Sequence, residues 1–205
     1  MSEHIEMQAG DVKALLRIAP DSEVRYYLCG IFFDPKGYAV VTDGAALMAI
    51  RCAPFDGDGF IVRREVLEAA CKASTGKNPP PIMISRTEVR YSLKGTWTVM
   101  SHTPVDGRYP EWRRVVPDRA SGELAVYDSE LLERLRKARD DMQDGDRAGR
   151  KAFVHMNGDG PGFLFTERTD VLAIIMPMRA KGTEVTAERI AAFKQSAAPA
   201  QSEAA

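Results

Sequence analysis

Residues 11–50 read DVKALLRIAPDSEVRYYLCGIFFDPKGYAVVTDGAALMAI, one helical pattern followed by three short apolar runs. Val12, Leu15, Leu16 and Ala19 recur at the spacing that lines one face of a helix, with Lys13 and Arg17 on the other side. Pro20 and the polar residues 21–23 end that helix. The runs at 26–33, 38–42 and 47–50 have strand character. Turn residues Asp34-Pro35-Lys36-Gly37 and Asp43-Gly44 separate them.

The same order returns on both sides of a short loop. A strand at 60–62 leads into a helix over 63–74, with Val66, Leu67, Ala70 and Cys71 inward and Arg64, Glu68 and Lys72 in an outer row. Pro79 to Pro81 break the chain before strands at 82–85, 88–93 and 96–102. From Glu123 the unit starts again. A strand at 124–127 precedes a helix over 130–142, capped by Asp128 or Ser129, and strands at 152–156, 162–166 and 171–176 follow. Asn157-Gly158-Asp159-Gly160 supplies hairpin chemistry between the first two of these. The expectation is an α+β fold of three β-α-β-β-β modules at 1–50, 60–102 and 123–176, with helices in one layer and antiparallel sheets in the other. Residues 143–151 read as an exposed charged loop, 186–194 as a weak helix, and 195–205 as a disordered tail.

Composition excludes several classes. A net charge of −1 argues against a wholly basic nucleic-acid-coating protein but allows a local basic stripe. No apolar run reaches the roughly 18 residues of a membrane span, and the N-terminus lacks a signal-peptide pattern, so the expected location is the cytoplasm, with no membrane partner. Cys29, Cys52 and Cys71 are too widely spaced for a zinc site, and His4, His102 and His155 are scattered. Asp56-Gly57-Asp58-Gly59 lacks the later glutamate of a calcium loop, and the glycines at 158–162 lack the Lys-Ser/Thr of a phosphate loop. No catalytic group, metal or cofactor is expected.

Three stretches bear on function. They are Arg25-Tyr26-Tyr27-Leu28-Cys29-Gly30 with the later Val41-Thr42-Asp43-Gly44, then Val105-Asp106-Gly107-Arg108-Tyr109-Pro110-Glu111-Trp112-Arg113-Arg114-Val115-Val116-Pro117, then Ile174-Ile175-Met176-Pro177-Met178-Arg179. In this order they resemble the bacterial DNA polymerase III beta subunit, the DNA sliding clamp family. Residues 1–117 are similar to its middle domain, 118–180 to the second half of its last domain, and 181–205 form an extension. The family's first domain and the first half of its last are not matched. The chain also departs from the pattern at Cys29, where the family has asparagine, and at Ala45-Ala46, where it has His-Arg.

The resemblance implies a DNA-clamp fold and a processivity factor that encircles duplex DNA and tethers a polymerase. A bore that lets DNA slide needs long hydrated cations facing phosphates rather than base contacts. Lys13, Arg17, Arg63, Arg64, Lys72, Arg136 and Lys137 are the candidates, with Arg134 and Arg139 on the same third helix. Each alone reads better as a solvated helix face; the coincidence of three basic helices carries the expectation. The resemblance places Arg25, Tyr26 and Tyr27 near the bore as well. It also implies a pocket for short peptides of polymerases and clamp loaders, built from Leu28, Thr42, Gly44, Leu47, Pro110, Arg114, Val115, Ile174, Ile175 and Met176. The family's rings hold twelve modules, so three per chain implies a homo-oligomeric ring of four, ahead of a dimer. The alternative is a non-encircling clamp-fold protein that binds or mimics a replication partner.

Overall fold

The computed structural model of the chain describes residues 4–74, 79–142, 154–164, 168–179 and 191. The first module is β1 (Ile5–Met7), α1 (Ala9–Ile18), β2 (Gly30–Asp34), β3 (Tyr38–Thr42) and β4 (Ala46–Arg51). The second is β5 (Phe60–Arg63), α2 (Arg64–Ala73), β6 (Ile82–Ile84), β7 (Glu88–Leu93) and β8 (Thr96–Ser101). After a linker comes α3 (Ser129–Met142), followed by β9 (Val154–His155), β10 (Gly162–Leu164) and β11 (Val171–Ile175).

The first two modules exchange their leading strands. β1 pairs antiparallel with β6, and β5 pairs antiparallel with β2. Close pairing at the second contact needs Gly30, because a Cβ there would sit 2.4 Å from the Val62 carbonyl oxygen. β4 then pairs with β11, Leu47 opposite Ile174, so one sheet runs β5-β2-β3-β4-β11-β10-β9 across two modules. The other sheet is β1-β6-β7-β8.

The helices lie on one side of these sheets. Val12, Leu15, Ile18, Leu67, Ala70, Leu135 and Ala138 meet Ile31, Phe33, Met48, Ile50, Ala173 and Ile175 in the main core. Alternation sends the intervening strand residues, Leu47, Ala49 and Ile174, to the opposite face. There Val105, Tyr109 and Trp112 of the linker cover them. α1 and α3 approach closely at Gly10, whose missing Cβ would be 2.4 Å from the Asp141 carbonyl oxygen.

Two expectations are corrected. Tyr26–Leu28 is a 3₁₀ turn, with Leu28 N–H donating to the Arg25 carbonyl at 2.8 Å, and the strand starts at Gly30. The stretch 124–127 is no strand. Leu124 is 89% exposed, and the segment folds over the end of its own module through Gly122 N–H to Met156 O (3.0 Å) and Met178 N–H to Val126 O (2.7 Å). A leading strand here pairs only with the first sheet strand of an opposing module, and among the described residues the third module has none. Residues 143–151 and 195–205, read above as loop and tail, and all of the weak helix at 186–194 except residue 191 lie outside the described residues.

Candidate peptide pocket and nucleic-acid face

The β3–β4 turn is built by its own side chains. Asp43 Oδ1 accepts the Ala45 and Ala46 amides at 2.9 and 2.7 Å. Thr42 Oγ1 accepts the Gly44 amide at 3.0 Å and donates to the Ala46 carbonyl at 2.7 Å. Gly44 has φ +94°, a conformation that glycine adopts without Cβ strain. Beside this turn the linker is latched down. Trp112 Nε1–H donates to Asp34 Oδ2 at 3.1 Å, Arg113 Nη1 donates to the same oxygen at 2.6 Å, and Phe32 stacks on Tyr109 at 4.6 Å. Burial disfavours the Asp34 charge, yet Arg113, the Lys36 amide and the Trp112 indole outweigh it and hold the carboxyl below its ordinary range. Burial pushes the Tyr109 phenol well up.

Turn, linker and the end of β11 enclose a cavity of about 200 Å³. Eight of the ten expected residues line it, namely Leu28, Thr42, Gly44, Leu47, Pro110, Val115, Ile174 and Met176. Its floor of Leu28, Leu47 and Ile174 is buried, while Val115 and Met176 stand at the rim, 44% and 37% exposed. Met176 N–H donates to the Ala45 carbonyl at 2.8 Å, which ties the third module to the turn. Ile175 is a correction: it is fully buried on the helix side of the sheet, since it and Ile174 must point to opposite faces. Arg114 is exposed and does not line the cavity. Arg25, Ala45, Ala46, Glu111 and Trp112 complete the wall. Trp112 sits inside the linker motif, the one signal that pointed to it.

On the other side α1, α2 and α3 present shared grooves. One is lined by Lys13, Arg17, Arg64, Glu68 and Lys72, the next by Arg17, Arg64, Arg134 and Lys137. The cations there are largely paired. Arg17 Nε meets Asp141 at 2.7 Å, Arg136 meets Glu133 at 2.7 Å and Asp140 at 2.5 Å, and Lys72 and Lys137 meet Glu68 and Glu133 at 3.6 Å. Arg136 pulls the Glu133 carboxyl down to about 2. Arg64 works as a clasp: Nη1 donates to the Leu16 and Ala19 carbonyls at 2.6 and 2.5 Å, satisfying acceptors at the end of α1. Arg139 is buried and lines neither of these two grooves. Arg63 is the last residue of β5 and is exposed. Arg25 and Tyr27 are placed apart from the helices, Arg25 at the cavity wall and Tyr27 against the linker cluster, with Tyr26 exposed beside them.

Chemistry is sparse elsewhere. Among the described residues no three His, Cys, Asp or Glu side chains are grouped to hold a metal ion. Burial raises the Cys52 and Cys71 thiols to about 12, so neither offers a thiolate near neutrality. No described helix is long and apolar enough to cross a membrane.

No family model matches the chain. It is 32% identical over 125 residues to the beta sliding clamp of Vibrio cholerae, covering 58% of this chain and 34% of that protein. It is 33% identical over 102 residues to the beta sliding clamp of Escherichia coli, covering 46% and 27%. The chain thus spans about a third of these curated relatives. Among solved structures it resembles the DNA polymerase III beta subunit of Pseudomonas aeruginosa, with TM-score 0.64, 16% identity, and 87% and 66% of the two chains covered. The beta subunit of Thermotoga maritima gives TM-score 0.64 at 14% identity, covering 88% and 67%. The α+β architecture is the DNA-clamp fold.

Proposed function

Because the chain is a relative of the bacterial beta sliding clamp in sequence and in fold, we propose that it is a non-enzymatic, cytoplasmic processivity factor. It holds duplex DNA against the face of α1, α2 and α3, and it captures short peptides of a polymerase or clamp loader in the cavity on the opposite face. The observation that carries this reading is the composition of the cavity. Its walls come from the β3–β4 turn, the linker and the end of β11, three stretches that meet only where β4 joins β11. A buried apolar floor with a methionine at the rim suits an apolar side chain presented by a flexible peptide. The domain division at residues 117 and 180 belongs to the same proposal, with the cavity at the boundary it defines.

The test is a fluorescence-anisotropy titration with a labelled peptide copied from the clamp-binding segment of a replicative polymerase. Saturable binding that an unlabelled copy displaces supports the reading. No binding at hundreds of micromolar overturns it.

A second reading has its own observation. Acidic partners hold Arg17, Arg64, Arg136 and Lys137, which thins the charge available to phosphates. That favours a non-encircling clamp-fold protein that uses the pocket without the bore. Peptide binding without any salt-sensitive DNA retention distinguishes it from the first.

A further inference from the structure

The cavity beside the β3–β4 turn is small for a peptide. At about 200 Å³ it falls below the roughly 300–1,000 Å³ of a site that encloses a whole ligand. It therefore takes one or two apolar side chains, and the rest of the peptide lies outside it.

A second concavity, of about 510 Å³, lies on the same face of the joint between β4 and β11. Leu47 and Ile174, opposite each other, line the first cavity; Ala49 and Leu172, two residues along each strand and again opposite, line the second. On the linker side Val115 lines the first and Val116 the second, and Trp112 borders both. From Leu47 to Arg51, at the far end of β4, is four strand residues, about 13 Å. An extended peptide of about five residues covers that distance.

The walls of the second concavity select what lies there. Arg113 spends its charge on Asp34, at 2.6 Å, and Asp170 is held by Arg168 at 2.6 Å. Arg51 is exposed and makes no ion pair among the described residues. Its guanidinium lies over the Tyr38 ring, 5.8 Å from the centroid, with Nη2 3.5 Å from the Tyr38 hydroxyl. A cation held on an aromatic face loses little freedom when a carboxylate binds it. Asp118 stands on the linker wall, so a second carboxylate is favoured at the sheet wall and repelled at the linker wall.

We propose that the two concavities are one groove, and that the second takes the flank of the partner peptide captured by the first. That flank is an extended segment with an apolar residue against Tyr38, Val116 and Leu172 and an acidic residue on Arg51. The proposal rests on the peptide-capture reading of the first cavity and adds the chemistry of the partner beyond its anchor.

Anisotropy titrations of the full chain test it with three labelled probes. One is the polymerase peptide trimmed to its apolar anchor. The second carries about five further residues, one leucine and an Asp-Glu pair among them. The third is its neutral copy, with Asn-Gln in place of Asp-Glu. Both extended probes are made with the extension at the N-terminal end and again at the C-terminal end. At one end the acidic extension is expected to tighten binding about five-fold or more over the trimmed peptide, and to exceed its neutral copy. Arg51→Gln is expected to erase the acidic preference and Arg51→Glu to reverse it, with the trimmed peptide binding as before. Lys94→Glu, on the β7–β8 turn of the other sheet, is expected to keep the preference. No gain from either extension, an acidic preference that survives Arg51→Gln, or one lost equally in Lys94→Glu overturns the groove. A trimmed peptide that binds without any gain on extension removes the groove and leaves the cavity standing. An extended peptide that binds through Arg51 while the trimmed one does not bind supports the groove and removes the anchor.

Discussion

Arg134 of α3 reaches Asp43 of the β3–β4 turn, Nη1 to Oδ2 at 2.7 Å, while its other nitrogens donate to the Arg17 and Ile18 carbonyls at 3.0 and 2.6 Å. One side chain thus joins the third module, the end of α1 and the carboxylate that shapes the cavity turn. The helix face and the cavity are joined through it.

Removing that link exposes its cost. Arg134→Ala leaves a mostly buried Asp43 and two helix-end carbonyls short of a donor. The expected loss is ~1–3 kcal/mol in urea unfolding. Peptide affinity should fall as well, since the turn loses its outer support. Unchanged stability and affinity contradict the linkage.

At the rim, Met176→Ala or Val115→Glu should weaken peptide capture by ~1–3 kcal/mol, the range for truncating or charging an apolar contact. Equal affinity in both variants and the wild type contradicts the pocket assignment.

The linker latch titrates. Because the folded Asp34 carboxyl lies below its unfolded value, its contribution is complete above about pH 4 and is lost as pH falls through the folded value. Asp34→Asn should lower stability near neutrality and reduce its acid dependence. Denaturant curves at pH 7 and at pH 3 measure both. A larger acid dependence in the variant contradicts the latch.

On the helix face, Arg64 and Lys13 should behave differently. Arg64→Glu breaks the clasp on α1 and should destabilise the fold by ~2–4 kcal/mol, as expected for uncapping buried acceptors and introducing an unpaired charge. Lys13→Glu/Lys72→Glu should leave melting unchanged, weaken DNA retention and reduce its salt dependence. Retention by this folded double variant at wild-type level contradicts a role for the helix face.

Much of this was legible in the residues. The i, i+3, i+4, i+7 pattern of Val12, Leu15, Leu16 and Ala19 marks α1, and Asp34-Pro35-Lys36-Gly37 marks a turn, because both are local physics. The stretch 124–127 failed because a leading strand exists only when an opposing module offers an edge. Ile175 was misplaced although alternation along β11 already separates it from Ile174. The role of Arg64 was hidden for another reason: its carbonyl partners lie 45 and 48 residues away in sequence, and charge counting cannot see them.

Encirclement of DNA separates the proposed clamp function from the non-encircling reading, and DNA topology tests it most directly. The protein is loaded onto nicked circular plasmid with a clamp loader and ATP, separated from free protein at moderate salt, and then challenged with a restriction enzyme that linearises the plasmid. The account predicts co-elution with the circle and release once the ends are free. Equal retention on circular and linear DNA, or no retention on the circle, contradicts it.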